Sequence, residues 1–491
     1  MINTRLQLQL SSFSELYDQT VDQHNFFRRL HDDIDFDEIT KVLLPKYSIN
    51  IGRTAYKPSY MFKLCLIKVM TDLSDVDLIE QVRVNLAYKY FLDMNPEDMP
   101  CDATTLCKFR RQRIGDTNLL QDLLDITFRF AEQKGIKKRV NGKFVIRGII
   151  DATHNLSGFN YCRPVPALKE LAKKMRCALY NIDESLTETL SKDKDIRSTD
   201  LKGEIQYCKY LIDFVVKNYS VYLNDERFKR IYNRLKEAVD DIHTYYSGDP
   251  EAGIGHKSAD TDFYGYKTTI TVDADTGMVV SASVSSGEVG DALPGKEVVE
   301  TILQSDDYEL IELNGDTAYS GQPFLELARD NNFEMLTTPH PILGTSIDGR
   351  DGFTFNKDAD MFICPNGHLA IGKRTISLKK DNNKRIIYRF DNKLCATCPL
   401  KDTCLGNRKE KTFSVSVVTS EQQKLLQDNQ TPEYRRRRKE RYKIEALNSH
   451  LKNAYAFRKA QCIGKSMMTL QAGIAMFVHN IRKIYRKSDN Q

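Results

Sequence analysis

From Lys143 onward the apolar period of the chain switches from helical to extended. The segment FVIRGIID (144–151) is a nearly continuous apolar run, the pattern of a strand buried on both faces. The segment YGYKTTITVDADTGMVVSASVSSGE (264–288) reads as two alternating runs about a DADTG hairpin turn. GKEVVETILQ, YELIELNGD, PFLELARDN and FEMLTTP then alternate helical and strand periods. Three strands followed by alternating helix and strand call for a mixed sheet covered by helices, an α/β architecture. The polar, helix-patterned block at 165–248 falls between the first and second strands and is expected to be a helical insertion.

The first 135 residues carry helical patterns only. SYMFKLCLIKVMTDL and DLIEQVRVNLAYKYFLDM place apolar residues on one stripe, and Pro96 and Pro100 end the run. DATTLCKFRRQRI follows, with Asp102 or Thr104 as N-cap and Arg110, Arg111 and Arg113 clustered behind it. This suits a helix-turn-helix-like DNA-binding unit or a plain helical packing domain.

The net charge of +5 announces no partner, but its distribution does. From Thr431 to Gln491 there are 15 Lys/Arg against 4 Asp/Glu, so the rest of the chain is net acidic. A basic working face near the C-terminus is expected. The start, MINTRLQLQLSSFSELYDQ, is too polar for a secretion signal, and the longest apolar stretch, Ala472–Ile481, is too short to span a bilayer. A cytoplasmic protein with no membrane partner is expected, its eleven cysteines mostly reduced.

Asp151 closes the first apolar run and Asp316 follows the fourth, both at carboxyl ends of strands, where open α/β sheets bind ligands. A third acid, Glu445, lies in RRRRKERYKIEALNSHLKNAY. On a helix Arg441, Glu445, Asn448 and Lys452 fall within about 60° of one another, beside an apolar stripe of Ile444, Leu447, Leu451 and Tyr455. Three carboxylates on two strands and a helix are the ligand set of a two-metal phosphoryl-transfer site, suited to two Mg²⁺ (or Mn²⁺) ions. Arg441 and Lys452 would hold DNA phosphates beside it. Asp291, after SSGEVG, is a further acid placed to support them. Separately, Cys364, Cys395, Cys398 and Cys404 have the spacing of a structural Zn²⁺ site, with His368 as an alternative first ligand and unmetallated packing cysteines as the other reading.

With these residues in view, the chain resembles the DDE transposases of bacterial insertion sequences, in the branch with a helical N-terminal domain and a cysteine-bearing segment before the last Glu. PCDATTLCKFRRQR, DFYGYK, GDTAYSG, FNKDADMFICPNGH, CATCPLKDTC and ERYKIEALNSHLKN carry the resemblance across nearly the whole chain. It implies a ribonuclease H-like catalytic core at 140–345 and 430–491, a DNA-binding domain at 1–135, and a zinc-ribbon-like Cys-rich subdomain at 346–429. It implies Asp151, Asp316 and Glu445 as the catalytic, metal-binding triad. The implied activity is cleavage at mobile-element ends and strand transfer into target DNA. The partners would be double-stranded DNA, namely terminal inverted repeats and target, bound by a homodimer. A catalytically inactive DNA-binding relative and a plain metal-dependent nuclease are the alternatives. Many relatives carry a Tyr, Arg, Glu, Lys signature around the last acid; here Arg441, Glu445 and Lys452 fit it, but Arg438 stands at the Tyr position.

Overall fold

The computed structural model describes residues 13–47, 55–114, 119–159, 164–190, 201–240, 249–258, 261–339, 352–356, 358–377, 384–406, 408, 410–416 and 419–490. The start of the N-terminal region, parts of the helical insertion and the opening of the Cys-rich segment therefore lie outside the described residues.

The sheet is built from β1 (Lys143–Leu156), β2 (Thr261–Asp273), β3 (Val279–Ser286), β4 (Tyr308–Asn314) and β5 (Glu334–Leu336). β1 is central: β2 pairs with it antiparallel and β4 pairs with it parallel. β3 pairs antiparallel with the far edge of β2, and β5 pairs parallel with β4. A short strand, Gly253–Ser258, continues the β3 side by pairing with the start of β2. This is the mixed sheet with flanking helices expected from the sequence. The hairpin forms at DADTG as expected: Asp273 is fully buried, its carboxylate accepts from the Thr276 backbone N–H at 3.1 Å and hydroxyl at 2.7 Å, and Gly277 takes φ +70°.

One expectation needs correcting. β1 does not end on Asp151 but continues to Leu156, because antiparallel pairing with β2 persists through Leu156↔Gly265. The polar residues there are not turn formers. Asn155 is fully buried, donating to Phe457 O at 2.5 Å and accepting from Thr268 at 2.7 Å. What does end near Asp151 is the parallel pairing, whose last partners are Ile149↔Asn314.

Helices α1 (Pro58–Thr71) and α2 (Leu119–Gln133) precede the sheet; α3 (Ala292–Gln304) and α4 (Gln322–Asp330) cross between its parallel strands. α5 (Tyr442–Ala454) and α6 (Lys465–Ser488) close the chain. The N-terminal helices share a core with the sheet. Phe62, Leu66 and Phe91 belong to one buried cluster with Ile149, Ile270 and Leu313 and with Ile474 and Phe477 of α6. The ends are further tied by Arg29, which pairs with both carboxylate oxygens of Asp489 at 2.8 and 3.0 Å. Helices Pro164–Tyr180, Leu201–Asn218 and Glu226–Asp240 form a separate cluster around Leu171, Met175, Leu211 and Leu235. A third cluster, around Phe353, Phe362, Tyr388 and Phe413, lies in the Cys-rich segment. Among the described residues no helix is long and apolar enough to cross a membrane.

Candidate active site

Strand register brings the first two acids together. Since Ile149 faces Asn314 across the parallel pair, Asp151 and Asp316 each lie two residues further along neighbouring chains. Gly315 N–H donates to Leu336 O at 2.9 Å and Thr337 Oγ1 donates to Asp316 O at 2.5 Å, so β5 holds the Asp316 backbone in place. The Asp316 carboxylate accepts from Ala318 N–H at 2.9 Å and caps the short 3-10 turn Thr317–Tyr319. Burial raises the pKa of Asp151, Arg441 opposes that rise, and Asp316 adds to it. Two carboxylates sharing a partly buried pocket repel, and a cation between them would relieve the repulsion.

The third acid arrives on α5. Ile444 and Leu451 are fully buried and Leu447 nearly so, which seats the expected apolar stripe against the core. Its neighbouring face meets β1. Arg441 Nη1 donates to Asp151 Oδ1 at 3.1 Å and Arg441 Nη2 to Glu445 Oε1 at 2.9 Å, while Asn448 Nδ2 donates to Asp151 Oδ2 at 3.1 Å. Glu445 therefore reaches Asp151 through a shared guanidinium, and its side chain is 59% exposed against 18% for Asp151. Lys452, on the same face, has a pKa lowered to about 8 by burial and by Lys257 and Arg458, with Asp151 opposing. The donors fit hard divalent cations in kind, being carboxylate oxygens around one cleft. As the side chains stand, no group of three or more His, Cys, Asp or Glu among the described residues is arranged to hold a metal ion. Arg441 occupies the space between two of the acids.

The basic residues separate into two groups. Arg111 is exposed and free to meet a phosphate backbone. Arg110, expected at the DNA, is instead 7% exposed and paired with Asp75 at 2.5 Å, which Lys68 also approaches at 3.0 Å. Its spacing within a basic cluster concealed an acid 35 residues away. Arg113 donates to Lys46 O and stacks on Tyr47 at 4.7 Å, so it too has a structural duty. Arg438 donates to Asn429 Oδ1 at 2.5 Å, at the place where relatives carry Tyr. Beside it Arg437 binds Glu312 and Glu334, so part of the arginine run clamps its helix to the sheet.

Two family models match parts of the chain. Residues 15–112 match the model of a transposase domain (DUF772), and residues 363–485, which include Glu445, match that of a transposase DDE domain. Both models are of transposase domains, and over these residues the chain resembles the DDE transposases. No curated protein matches it. Among solved structures, the cryo-EM structure of a piggyBac transposase synaptic complex with hairpin DNA aligns over 94% of this chain and 75% of that one, at 10% identity and a TM-score of 0.29.

In the Cys-rich segment, Cys364, Cys395, Cys398 and Cys404 line one small cavity with His368. The Cys395 thiol is pushed up by burial and then by Cys364, Cys404 and Cys398. Cys364 Sγ accepts from His368 N–H at 3.3 Å and Cys398 Sγ from Leu400 N–H at 3.4 Å. The His368 ring instead meets Asn366 Nδ2 at 3.3 Å. The thiols converge without closing to coordination spacing.

Sequence reasoning missed two residues. Asp249, fully buried, accepts from Tyr266 Oη at 2.7 Å and from Gly464 N–H at 3.2 Å, joining β2 to the start of α6. Tyr319, buried near the acids, carries no sequence signal beyond its place in GDTAYSG.

Proposed function

We propose that this transposase cleaves DNA at the ends of a mobile element and joins the freed 3′ ends to target DNA, with Asp151, Asp316 and Glu445 as its catalytic acids. The observation that carries the reading is the parallel register of β1 and β4, which sets Asp151 beside Asp316 within reach of the α5 face bearing Glu445. Two Mg²⁺ or Mn²⁺ ions held by these acids would activate the attacking oxygen and stabilise the leaving one. The chain's own residues supply the rest. Asn448 holds one oxygen of Asp151 and so fixes the carboxylate plane. Arg441 and Lys452, both partly desolvated beside Asp151, would bind scissile-strand phosphates more strongly than surface cations do. Arg111 and the exposed arginines of the C-terminal run would add sequence-independent contacts with the DNA backbone.

Pairing two element ends needs two active sites, so a homodimer on DNA is the working unit, acting in the cytoplasm at the nucleoid. Residues 346–429 serve as a zinc-holding unit before the last acid. Cys364 is preferred to His368 as first ligand, because its sulfur already accepts a backbone N–H as thiolate ligands do. Zinc measured by plasma mass spectrometry should be near stoichiometric in wild type and lost in Cys395→Ser; its absence from wild type would remove this part of the proposal.

The functional test is a supercoiled plasmid bearing the element ends, incubated with the protein and Mg²⁺. Strand-transfer products support the reading. Nicked or linear DNA without joining would indicate a nuclease, and end binding without cleavage an inactive relative.

A further inference from the structure

Tyr319 lies three residues after Asp316, at the end of the 3-10 turn which that acid caps. Its ring cannot move freely. It packs edge-on against Phe324 at 5.4 Å, and a Cβ on Gly295 or Gly315 would meet it at 2.5 or 2.8 Å. Gly315, the first glycine of GDTAYSG, is thus required by the tyrosine ring. The side chain is 1% exposed, and its hydroxyl is buried with no hydrogen-bond partner among the described residues. Burial, and after it the charges of Asp151, Asp291 and Asp316, hold its pKa well above the usual phenol range, so the hydroxyl keeps its proton.

Those carboxylates have other partners as the side chains stand. Asp151 takes Arg441 and Asn448, Asp316 takes the Ala318 N–H, and Asp291 takes Lys267 at 2.9 Å. A phenylalanine would fill the same space between the glycines without burying an unpaired hydroxyl, so packing alone gives no reason for the oxygen. Metal binding does. A cation draws the carboxylates by one set of lone pairs and leaves the outer set to neighbouring donors, which fix the ligand orientation.

We propose that Tyr319 is a positioning residue of the metal centre, its hydroxyl donating to the Asp151–Asp316 carboxylate pair when a divalent cation is bound. The inference rests on the reading of those acids as metal ligands. Tyr319 touches neither DNA nor the reacting atoms; it acts through the two aspartates.

The test is titration of the full-length protein with Mn²⁺, without DNA, following free Mn²⁺ by electron paramagnetic resonance, with thermal unfolding in parallel. Wild type, Tyr319→Phe and Asp316→Asn are compared. Tyr319→Phe should weaken the tightest site about tenfold with a melting temperature equal to or above that of wild type, because an unsatisfied buried hydroxyl has been removed. Asp316→Asn should lose that site. If Asp316→Asn loses it while Tyr319→Phe titrates like wild type, the positioning role is overturned. If wild type shows no such site, or Asp316→Asn retains it, the metal-ligand reading itself fails. A fall in melting temperature on Tyr319→Phe with unchanged Mn²⁺ affinity would mean that the hydroxyl serves packing, and would also overturn the proposal.

Discussion

Arg110 and Arg111 are neighbours in sequence with opposite fates, and the difference is chemical. Arg110 is buried against Asp75, whereas Arg111 points to solvent. Breaking a buried ion pair from one side leaves the other charge desolvated. Arg110→Gln should therefore cost about 3 kcal/mol of stability, the lower end for such pairs because Lys68 still faces Asp75. Its DNA affinity per folded molecule should be unchanged. Arg111→Gln should shift stability by less than about 0.5 kcal/mol and reduce the salt dependence of DNA binding by about one counterion. Denaturant titration and salt-dependent binding separate the two. The same contrast shows what a sequence makes legible. Asp151 and Asp316 stood out because a carboxylate interrupting an apolar run is locally conspicuous. The burial of Arg110 and of Asn155 depends on Asp75 and on Phe457, partners 35 and 302 residues away, and no local pattern encodes them.

At the scale of elements, the longest and cleanest apolar periods coincide with the elements of the structure. The hairpin, the two crossover helices and the apolar stripe of α5 all follow from them. The end of β1 is not legible from the apolar period, because Thr153 and Asn155 are polar but buried. α5 is the element on which the site depends, since it carries Arg441's partner Glu445 and also Asn448 and Lys452. It is held by Ile444, Leu447 and Leu451. Leu451→Ala should cost about 2–5 kcal/mol and loosen the face that meets Asp151. Metal affinity and cleavage should fall together below the unfolding temperature. If cleavage is unchanged in the folded fraction, the helix does not need this seat to place Glu445.

Across the whole molecule, the N-terminal helices, the sheet and α6 share one hydrophobic cluster, while the helical insertion and the Cys-rich segment each have their own. Hydrogen exchange should find Leu66, Ile149 and Phe477 protected to the same free energy, because they open only when the shared core does. Leu171 and Leu235 should exchange independently of them, through opening of the insertion alone. Uneven protection between Leu66 and Ile149 would show that the N-terminal region unfolds by itself. This arrangement places the N-terminal helices and the basic C-terminal run on one body with the acids. On the proposed function, DNA bound at either end would be held relative to the site.

The central claim is that Asp151, Asp316 and Glu445 form one catalytic centre. Its most direct test is cleavage of DNA bearing the element ends by Asp316→Asn, with end binding measured on the same preparation. The predicted result is undiminished binding and no cleavage. Cleavage at the wild-type rate would contradict the account.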